Sequence, residues 1–367
     1  MTPSVPARVL VTGIGGAVGR GLAEALAADP PAAEVVGVFS GERSRDAFMT
    51  QVPRPVRALV RPVVCDLADA GRTSGFADEL PPADRTVVVH AAANVSWTAS
   101  PEAARHGNVT VTRNVADLAR GLGPGTRFLY VSSAYTATEG WHYRNTYEST
   151  KAEAQRLLCS AYADLAPSVF SCSLVVGHSR TGAIGRFHGI YPLLALIDRH
   201  SPVLLPGERD RRIDIVPVDW VAAELAGMVH RTLRGGTPQD VVAAAGPAAP
   251  RLGELVTEAV GALNRLRARA GGRPLEPIAL VPFRRWDFLR RSFDAWQVKG
   301  VALPDRALLD RLIGVYRPYF EDDRVLAPTA ATRPCPPWQE YLDAVVGHWF
   351  AQQGRRARTP VGARGGG

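Results

Sequence analysis

The segment VLVTGIGGAVGRGLAEAL, Val9 to Leu26, constrains this chain more than any other. A short aliphatic run, Val9-Leu10-Val11, leads into Gly13, Gly16 and Gly19. A helical periodicity follows from Gly19 to Ala28, with Leu22, Ala25 and Leu26 on one face. Glycines at this spacing make a tight turn, let backbone N–H groups approach a ligand, and let strand and helix pack closely. The helix amino terminus then faces negative charge. The segment predicts a strand-turn-helix unit that binds the pyrophosphate of a dinucleotide through Gly13, Gly16 and Gly19.

The rest of the first half repeats the alternation. Val35–Phe39, Val60–Cys65, Val87–Ala91, Arg127–Ser132 and Ser171–Val176 read as strands. Asn108–Ala119 and Glu148–Leu158 read as helices. The strands are continuous apolar runs, as expected when both faces are covered. The prediction is an α/β fold, a Rossmann-type doubly wound parallel sheet, with a smaller, mostly helical substrate lobe. In that lobe Arg186–His200 reads as a helix, and the chain is mostly helical beyond about Pro250. The expected division is 7–178 with 213–244 as the Rossmann, dinucleotide-binding domain and 179–212 with 245–353 as the substrate lobe. Residues 354–367, basic and glycine-rich, read as a disordered tail.

A length of 367 residues allows two domains, and 46% hydrophobic with 21% charged residues excludes disordered, collagen-like and coiled-coil chains. No run of ~18 apolar residues suggests a membrane span. Met1 to Pro6 has no basic leader region, so a cytoplasmic protein is expected. Cys65, Cys159, Cys172 and Cys335 lie far apart and read as free thiols of a reducing compartment. The eight histidines form no metal-ligand spacing, and no metal is expected. The net charge of +8 is almost wholly arginine; lysine occurs only at Lys151 and Lys299.

Further candidate cofactor contacts follow the strands in order. Asp66-Leu67 follows the third strand, where a carboxylate suits the adenine amino group. Ala91 and Ala92, after His90, leave room beneath a cofactor, and Asn108 opens the next helix. The second strand ends at Phe39-Ser40 without the carboxylate that would hold a ribose 2′-OH and repel a 2′-phosphate. Arg43 and Arg45 suit a phosphate clamp, so the reading favours NADP (NADPH), with Ser40 and Arg43 at the ribose. Glu42 is the competing feature, since a shift in register brings it to the ribose.

Tyr147-Glu148-Ser149-Thr150-Lys151 places a tyrosine and a lysine one helical turn apart on one face. A tyrosine hydroxyl has an unperturbed pKa near ~10, and a neighbouring ammonium favours its ionised form. Such a tyrosine protonates a carbonyl oxygen as the carbon is reduced. Ser133, in LYVSSAY, closes a strand and suits a hydrogen bond to the same oxygen. Lys151 also suits the ribose hydroxyls of the cofactor. Ser133, Tyr147 and Lys151 are the candidate catalytic residues.

From Ala7 to Leu233 the sequence resembles the extended short-chain dehydrogenase/reductase superfamily. Within it, the chain is similar to the thioester reductase and fatty acyl-CoA reductase (male sterility type) NAD(P)-binding group. VSSAYTA, NTYESTKAEAQRLL, VVGHSRTGAIGRFHGIYPLL and RIDIVPVDWVAAEL carry the resemblance, with Val216–Asp219 as its V-P-V-D segment. YRPYFEDDRVL and WQEYLDAVVGHWF extend it more weakly toward the carboxyl end. The resemblance implies an NADPH-dependent reductase transferring hydride to a carbonyl, often an acyl thioester on CoA or an acyl carrier protein, giving aldehyde or alcohol. It departs from the group where relatives have Arg-Pro at the sixth strand; here Ser171 and Cys172 stand there.

Alternatives stay open at this point. The same residues suit a keto/hydroxy dehydrogenase or a nucleotide-sugar epimerase or dehydratase, and a non-catalytic NADP-binding regulator is a third reading. Arginines between Arg265 and Arg291 suggest a face for CoA phosphates or an acidic carrier protein, or simply a solvated helix. Trp286, Phe288, Phe293 and Trp296 suggest an apolar wall or a lobe core. No nucleic-acid-binding fold appears, and nothing specifies an oligomeric state.

Overall fold

Each buried aliphatic run of the first half forms a strand, and each amphipathic segment between two runs forms a crossover helix. The computed structural model describes residues 7–136, 142–236, 239–295, 306–329 and 333–358. In chain order the first elements are β1 (Arg8–Thr12), α1 (Ala17–Ala28), β2 (Glu34–Phe39), α2 (Glu42–Gln51), α3 (Arg54–Leu59), β3 (Val60–Val64), α4 (Ala70–Gly75) and β4 (Thr86–His90). Then come α5 (Pro101–Arg105), α6 (Val111–Gly121), β5 (Thr126–Ser133), α7 (Thr146–Ala161), β6 (Ser168–Cys172), β7 (Leu174–Val176), α8 (Tyr191–His200), β8 (Leu204–Pro206) and β9 (Ile215–Pro217). The chain continues through α9 (Val218–Leu233), β10 (Val241–Ala243), α10 (Leu252–Arg269), β11 (Ala279–Val281), α11 (Phe283–Ala295), α12 (Arg306–Glu321) and α13 (Trp338–Arg358).

The chain divides into two units. The first comprises Met1–Val175, Val218–Ala245 and Leu326–Cys335. Its seven-stranded sheet has the order β10-β6-β5-β4-β1-β2-β3. Every neighbouring pair is parallel. Strand order reverses between β1 and β4. Right-handed crossovers therefore put α1 on one face and α6 on the other. α1 packs on α9 and α3, while α6 packs on α4 and α7. Leu10, Val88, Phe128 and Tyr130 meet Val115, Leu118, Ala154 and Leu158 in the core of the second layer. In an open sheet of this kind ligands bind at the carboxyl ends of the strands, where the order reverses.

The second unit comprises Val176–Pro217, Gly246–Val325 and Pro336–Gly367, and its described part is mostly helical. β8 and β11 pair in parallel. Tyr341 donates to the Ile215 carbonyl at 2.9 Å, and Tyr316 stacks on Phe320 at 5.4 Å. Among the described residues no helix is long and apolar enough to cross a membrane.

Several boundaries differ from expectation. Asn108 does not open a helix: Ser100 caps it by accepting from Ala103 N–H at 3.2 Å, Pro101 fills the first turn, and Asn108 lies inside a π-helical turn, His106–Thr110. The helix expected from Arg186 starts at Tyr191, because Gly189 adopts a left-handed φ of 61° and Pro192 suits only a first turn. α13 continues to Arg358, into the stretch expected as a disordered tail, whose last residues lie outside the described ones. Leu326–Cys335 groups with the first unit rather than with the second.

Candidate active site

The glycine turn is built from backbone alone. Gly13 has φ +68°, and a Cβ there would lie 2.4 Å from Ala92 N. A Cβ on Gly19 would lie 2.3 Å from Gly13 O. Gly16 N–H donates to Gly13 O at 2.9 Å and Gly16 caps α1 without a side chain. The first turn of α1 holds no acidic residue, so nothing neutralises the positive end of its dipole. These features fit the pyrophosphate of a dinucleotide. Ala91 and Ala92 close the turn from β4: their N–H groups donate to Thr12 O at 3.2 Å and Thr12 Oγ1 at 3.4 Å.

Beyond β2, Ser40 is exposed and Gly41 caps α2. Arg45 pairs with Asp46 at 2.9 Å and Glu42 at 3.4 Å. Arg43, in the first turn of α2, is exposed. Asp66 is exposed and its Oδ1 accepts from Ala68 N–H at 3.0 Å, whereas the Leu67 side chain belongs to the core and its carbonyl accepts from Asn114 at 2.9 Å.

A directed hydrogen-bond chain runs beneath this site. Thr112 Oγ1 donates to Asn108 O at 2.5 Å, so it accepts from His90 Nε2 at 2.9 Å. Nδ1 of the neutral ring then accepts from Thr12 Oγ1 at 2.7 Å. Burial, with a lesser contribution from Lys151, lowers the His90 pKa to about 3, which keeps the ring neutral. Asn108 Nδ2 donates to Thr150 Oγ1 at 2.9 Å and Asn94 O at 3.2 Å, and its Oδ1 accepts from Asn94 N–H at 2.7 Å. Asn108 thus ties the loop after β4 to α7.

Ser133 ends β5, buried, with its Oγ accepting from Tyr135 N–H at 3.3 Å. Ser132 is engaged elsewhere, with Thr136 at 3.1 Å and Gln155 at 3.3 Å. Tyr147 and Lys151 lie one turn apart on α7, which starts two residues earlier than expected because Asn145 caps it, accepting from Glu148 N–H at 2.9 Å. Lys151 is 2% exposed. Its Nζ donates to Val131 O at 2.6 Å and sits 4.0 Å over the Tyr130 ring. Burial pulls its pKa down to about 7, opposed by Cys172.

Tyr147 keeps part of its surface open, yet its hydroxyl does not sit below the usual tyrosine value as the motif suggested. Desolvation dominates and raises it, reinforced by Cys172 and Glu148.

Two features escaped the sequence reading. Glu148, fully buried, pairs with Arg144 Nη2 at 2.8 Å and Nε at 3.0 Å, and also accepts from Arg144 N–H at 3.0 Å. The Arg144 guanidinium lies 4.2 Å over the Tyr135 ring. An arginine and a glutamate at i, i+4 beside the tyrosine were the available signal. Cys172 stands in register beside Ser133, and burial pushes its thiol up to about 11 against the pull of Lys151.

The expected basic face is partly neutralised. Arg265 pairs with Asp343 at 2.6 Å and Arg267 with Asp198 at 3.3 Å, while Arg269, Arg273, Arg284 and Arg285 are exposed. Phe288 is exposed and Trp286 half-buried; the side chains of Arg290, Arg291 and Phe293, and all of Trp296, lie outside the described residues.

Known structures share the fold. The terminal R domain from the myxalamid PKS-NRPS biosynthetic pathway is 18% identical and has a TM-score of 0.67, with 97% of this chain and 93% of that one covered. A thiolation-reductase di-domain from an archaeal non-ribosomal peptide synthetase is 13% identical, with a TM-score of 0.63 over 95% and 76% of the two chains. UDP-glucose 4-epimerase of Thermus thermophilus, solved with NAD, is 20% identical, with a TM-score of 0.58 over 94% and 99%. No curated protein sequence matches the chain significantly. Residues 9–244, which span the glycine turn, Ser133, Tyr147 and Lys151, match the model of the NAD dependent epimerase/dehydratase family. The chain therefore belongs to that family, within the extended short-chain dehydrogenases/reductases, whose cofactor is a nicotinamide dinucleotide.

Proposed function

We propose that the chain is an NADPH-dependent reductase of acyl thioesters, carried on CoA or on an acyl carrier protein, giving aldehyde or alcohol. The observation that carries this reading is Ser133 at the carboxyl end of β5, with Lys151, one turn from Tyr147 on α7, bonded to Val131 O of the same strand. The fold it shares with the terminal R domain of the myxalamid pathway and with a thiolation-reductase di-domain supports the thioester reading. Cys65, Cys159 and Cys172, which form no disulfide among the described residues, fit a reducing compartment.

Gly13, Gly16 and Gly19 hold the pyrophosphate, and Ser40 with Arg43 holds the 2′-phosphate. Asp66, Leu67, Ala91, Ala92 and Asn108 shape the rest of the cofactor bed. When bound, the nicotinamide supplies the two electrons for reduction at the carbonyl carbon. Ser133 Oγ donates to the carbonyl oxygen and fixes its direction. Tyr147 protonates that oxygen as negative charge develops on it. Lys151, one turn from Tyr147 on α7, bonds the cofactor ribose. For a thioester, the hemithioacetal so formed loses thiol to give the aldehyde.

Cofactor choice is tested by Arg43→Ala. The expected result is a KM for NADPH raised about tenfold, the loss of one charge-assisted contact, with kinetics on NADH unchanged. Equal use of NADPH before and after the substitution contradicts the assignment of Arg43.

A further inference from the structure

The second unit gathers three helix ends at one place. Arg267, in the last turn of α10, donates from Nη1 to Asp198 O at 3.0 Å and to Asp198 Oδ1 at 3.3 Å, near the end of α8. Arg199 Nη2 donates to Gln353 Oε1 of α13 at 3.3 Å. Asn264 closes the loop after α10, accepting from Leu275 N–H at 2.6 Å and donating to Leu275 O at 3.0 Å. Ala279 N–H donates to Val203 O at 2.9 Å, which brings the start of β11 to the same end.

Positive charge is left uncompensated there. Asp198 and Asp343 pair with Arg267 and Arg265. Arg199, Arg269 and Arg273 are exposed and have no carboxylate partner among the described residues. Glu276 is the one other acid in residues 198–203 and 265–279. Arg355, Arg356 and Arg358 follow Gln353 on α13. A helix carboxyl end carries roughly half a negative charge, so the ends of α8, α10 and α13 account for only part of this excess. Val203, 58% exposed, and the exposed Ala270 and Ala279 add apolar surface at the same end.

Basic side chains around a small apolar centre suit a macromolecule with an acidic face. The nucleotide of CoA, as a small ligand, calls for a concave site that buries most of it, whereas Val203, Arg269 and Arg273 stand exposed. Residues 198–203 and 265–279 contain no tryptophan, tyrosine or phenylalanine, the rings that anchor a helix in a membrane surface or stack on single-stranded nucleic acid. We propose that this end of the second unit is the docking surface for the acidic face of an acyl carrier protein, which delivers the thioester. The inference rests on the reading of the chain as a thioester reductase.

The test measures binding of a fluorescently labelled octanoyl acyl carrier protein to the full chain by anisotropy, beside NADPH oxidation with the octanoyl carrier protein and with octanoyl-CoA. Arg269→Glu with Arg273→Glu reverses charge at the proposed surface. Arg209→Glu with Arg284→Glu makes the same change elsewhere; Arg209 is held at the other end of α10, about 27 Å away. The expected result is a Kd for the carrier protein raised about tenfold in the first pair and within twofold of wild type in the second. kcat/KM falls in step for the octanoyl carrier protein and stays unchanged for octanoyl-CoA. Raising salt from about 50 mM to about 300 mM weakens wild-type binding, because exposed charges are screened. A wild type that binds no carrier protein overturns the proposal, as do binding within twofold of wild type in the first pair and an equal loss in both pairs. A parallel fall in kcat/KM for octanoyl-CoA overturns it in favour of a site for CoA phosphates. Loss of binding to phosphatidylglycerol vesicles in the first pair, with carrier binding retained, overturns it in favour of a membrane surface. If the first pair does not fold, Arg269→Gln with Arg273→Gln takes its place under the same criteria. A wild type that binds the carrier protein through this end but oxidises no NADPH with either thioester supports the docking surface and overturns the reductase reading.

Discussion

Lys151 concentrates the chemistry of the site in one side chain. It is anchored on the Val131 carbonyl and the Tyr130 ring, and burial brings its pKa down to about 7. The unfolded chain binds this proton up to about pH 10.5, so between about 7 and 10.5 the unfolded state holds more protons than the folded one. Stability from this group therefore rises with pH across that window, and the full cost of burying the charge is felt below it. Lys151→Met is expected to melt higher than the wild type at pH 7, with a flatter dependence of melting temperature on pH from 7 to 10, and to lose turnover. Thermal melts across that range check it; parallel pH curves for the two proteins contradict it. The motif Tyr147 to Lys151 was legible in the sequence because i, i+4 spacing survives any packing of the helix. The order of the electrostatic effects was not legible, because desolvation of Tyr147 depends on Cys172 and Glu148 being brought around it by the fold.

At the scale of the element, α7 holds the site together. Asn145 caps it, and the buried Arg144–Glu148 pair fastens its first turn to the Tyr135 ring. Tyr135 N–H in turn holds Ser133, so one clamp links both sides of the reacting centre. Removing one partner of a buried pair leaves an uncompensated charge. Glu148→Gln is expected to lose about 3 kcal/mol of stability and to lower kcat more than KM. Urea unfolding with steady-state kinetics on the folded variant measures both. Wild-type kcat in Glu148→Gln would remove the clamp from the catalytic account. The central strands β1, β4 and β5 were readable because they are buried on both faces and so carry continuous apolar runs. The helix start at Pro101 was missed although Ser100-Pro101-Glu102 carries a start signal, because the apolar periodicity begins only at Val109. The intervening π-helical turn carries Asn108, whose partners Asn94 and Thr150 come from other elements.

At the scale of the whole molecule, the first unit supplies a rigid frame whose polar connections converge on one end of one sheet. The glycine turn, His90, Asn108 and α7 are joined by side-chain hydrogen bonds that run from Thr12 to Thr150. The alternating first half made this frame predictable. The second unit was far less legible: ties such as Arg265–Asp343 and Arg267–Asp198 join residues distant in sequence, and no local periodicity announces them. The central claim, that Tyr147 protonates a thioester carbonyl as it is reduced, meets its most direct test in one measurement. NADPH oxidation by the purified chain is followed with a panel of acyl-CoA thioesters and the matching aldehydes, for the wild type and for Tyr147→Phe. The account predicts thioester-dependent oxidation that falls at least about a hundredfold in Tyr147→Phe, the scale of a lost general acid, with NADPH binding retained. Thioester-dependent oxidation of equal rate in the two proteins, or oxidation with aldehydes alone, would contradict it.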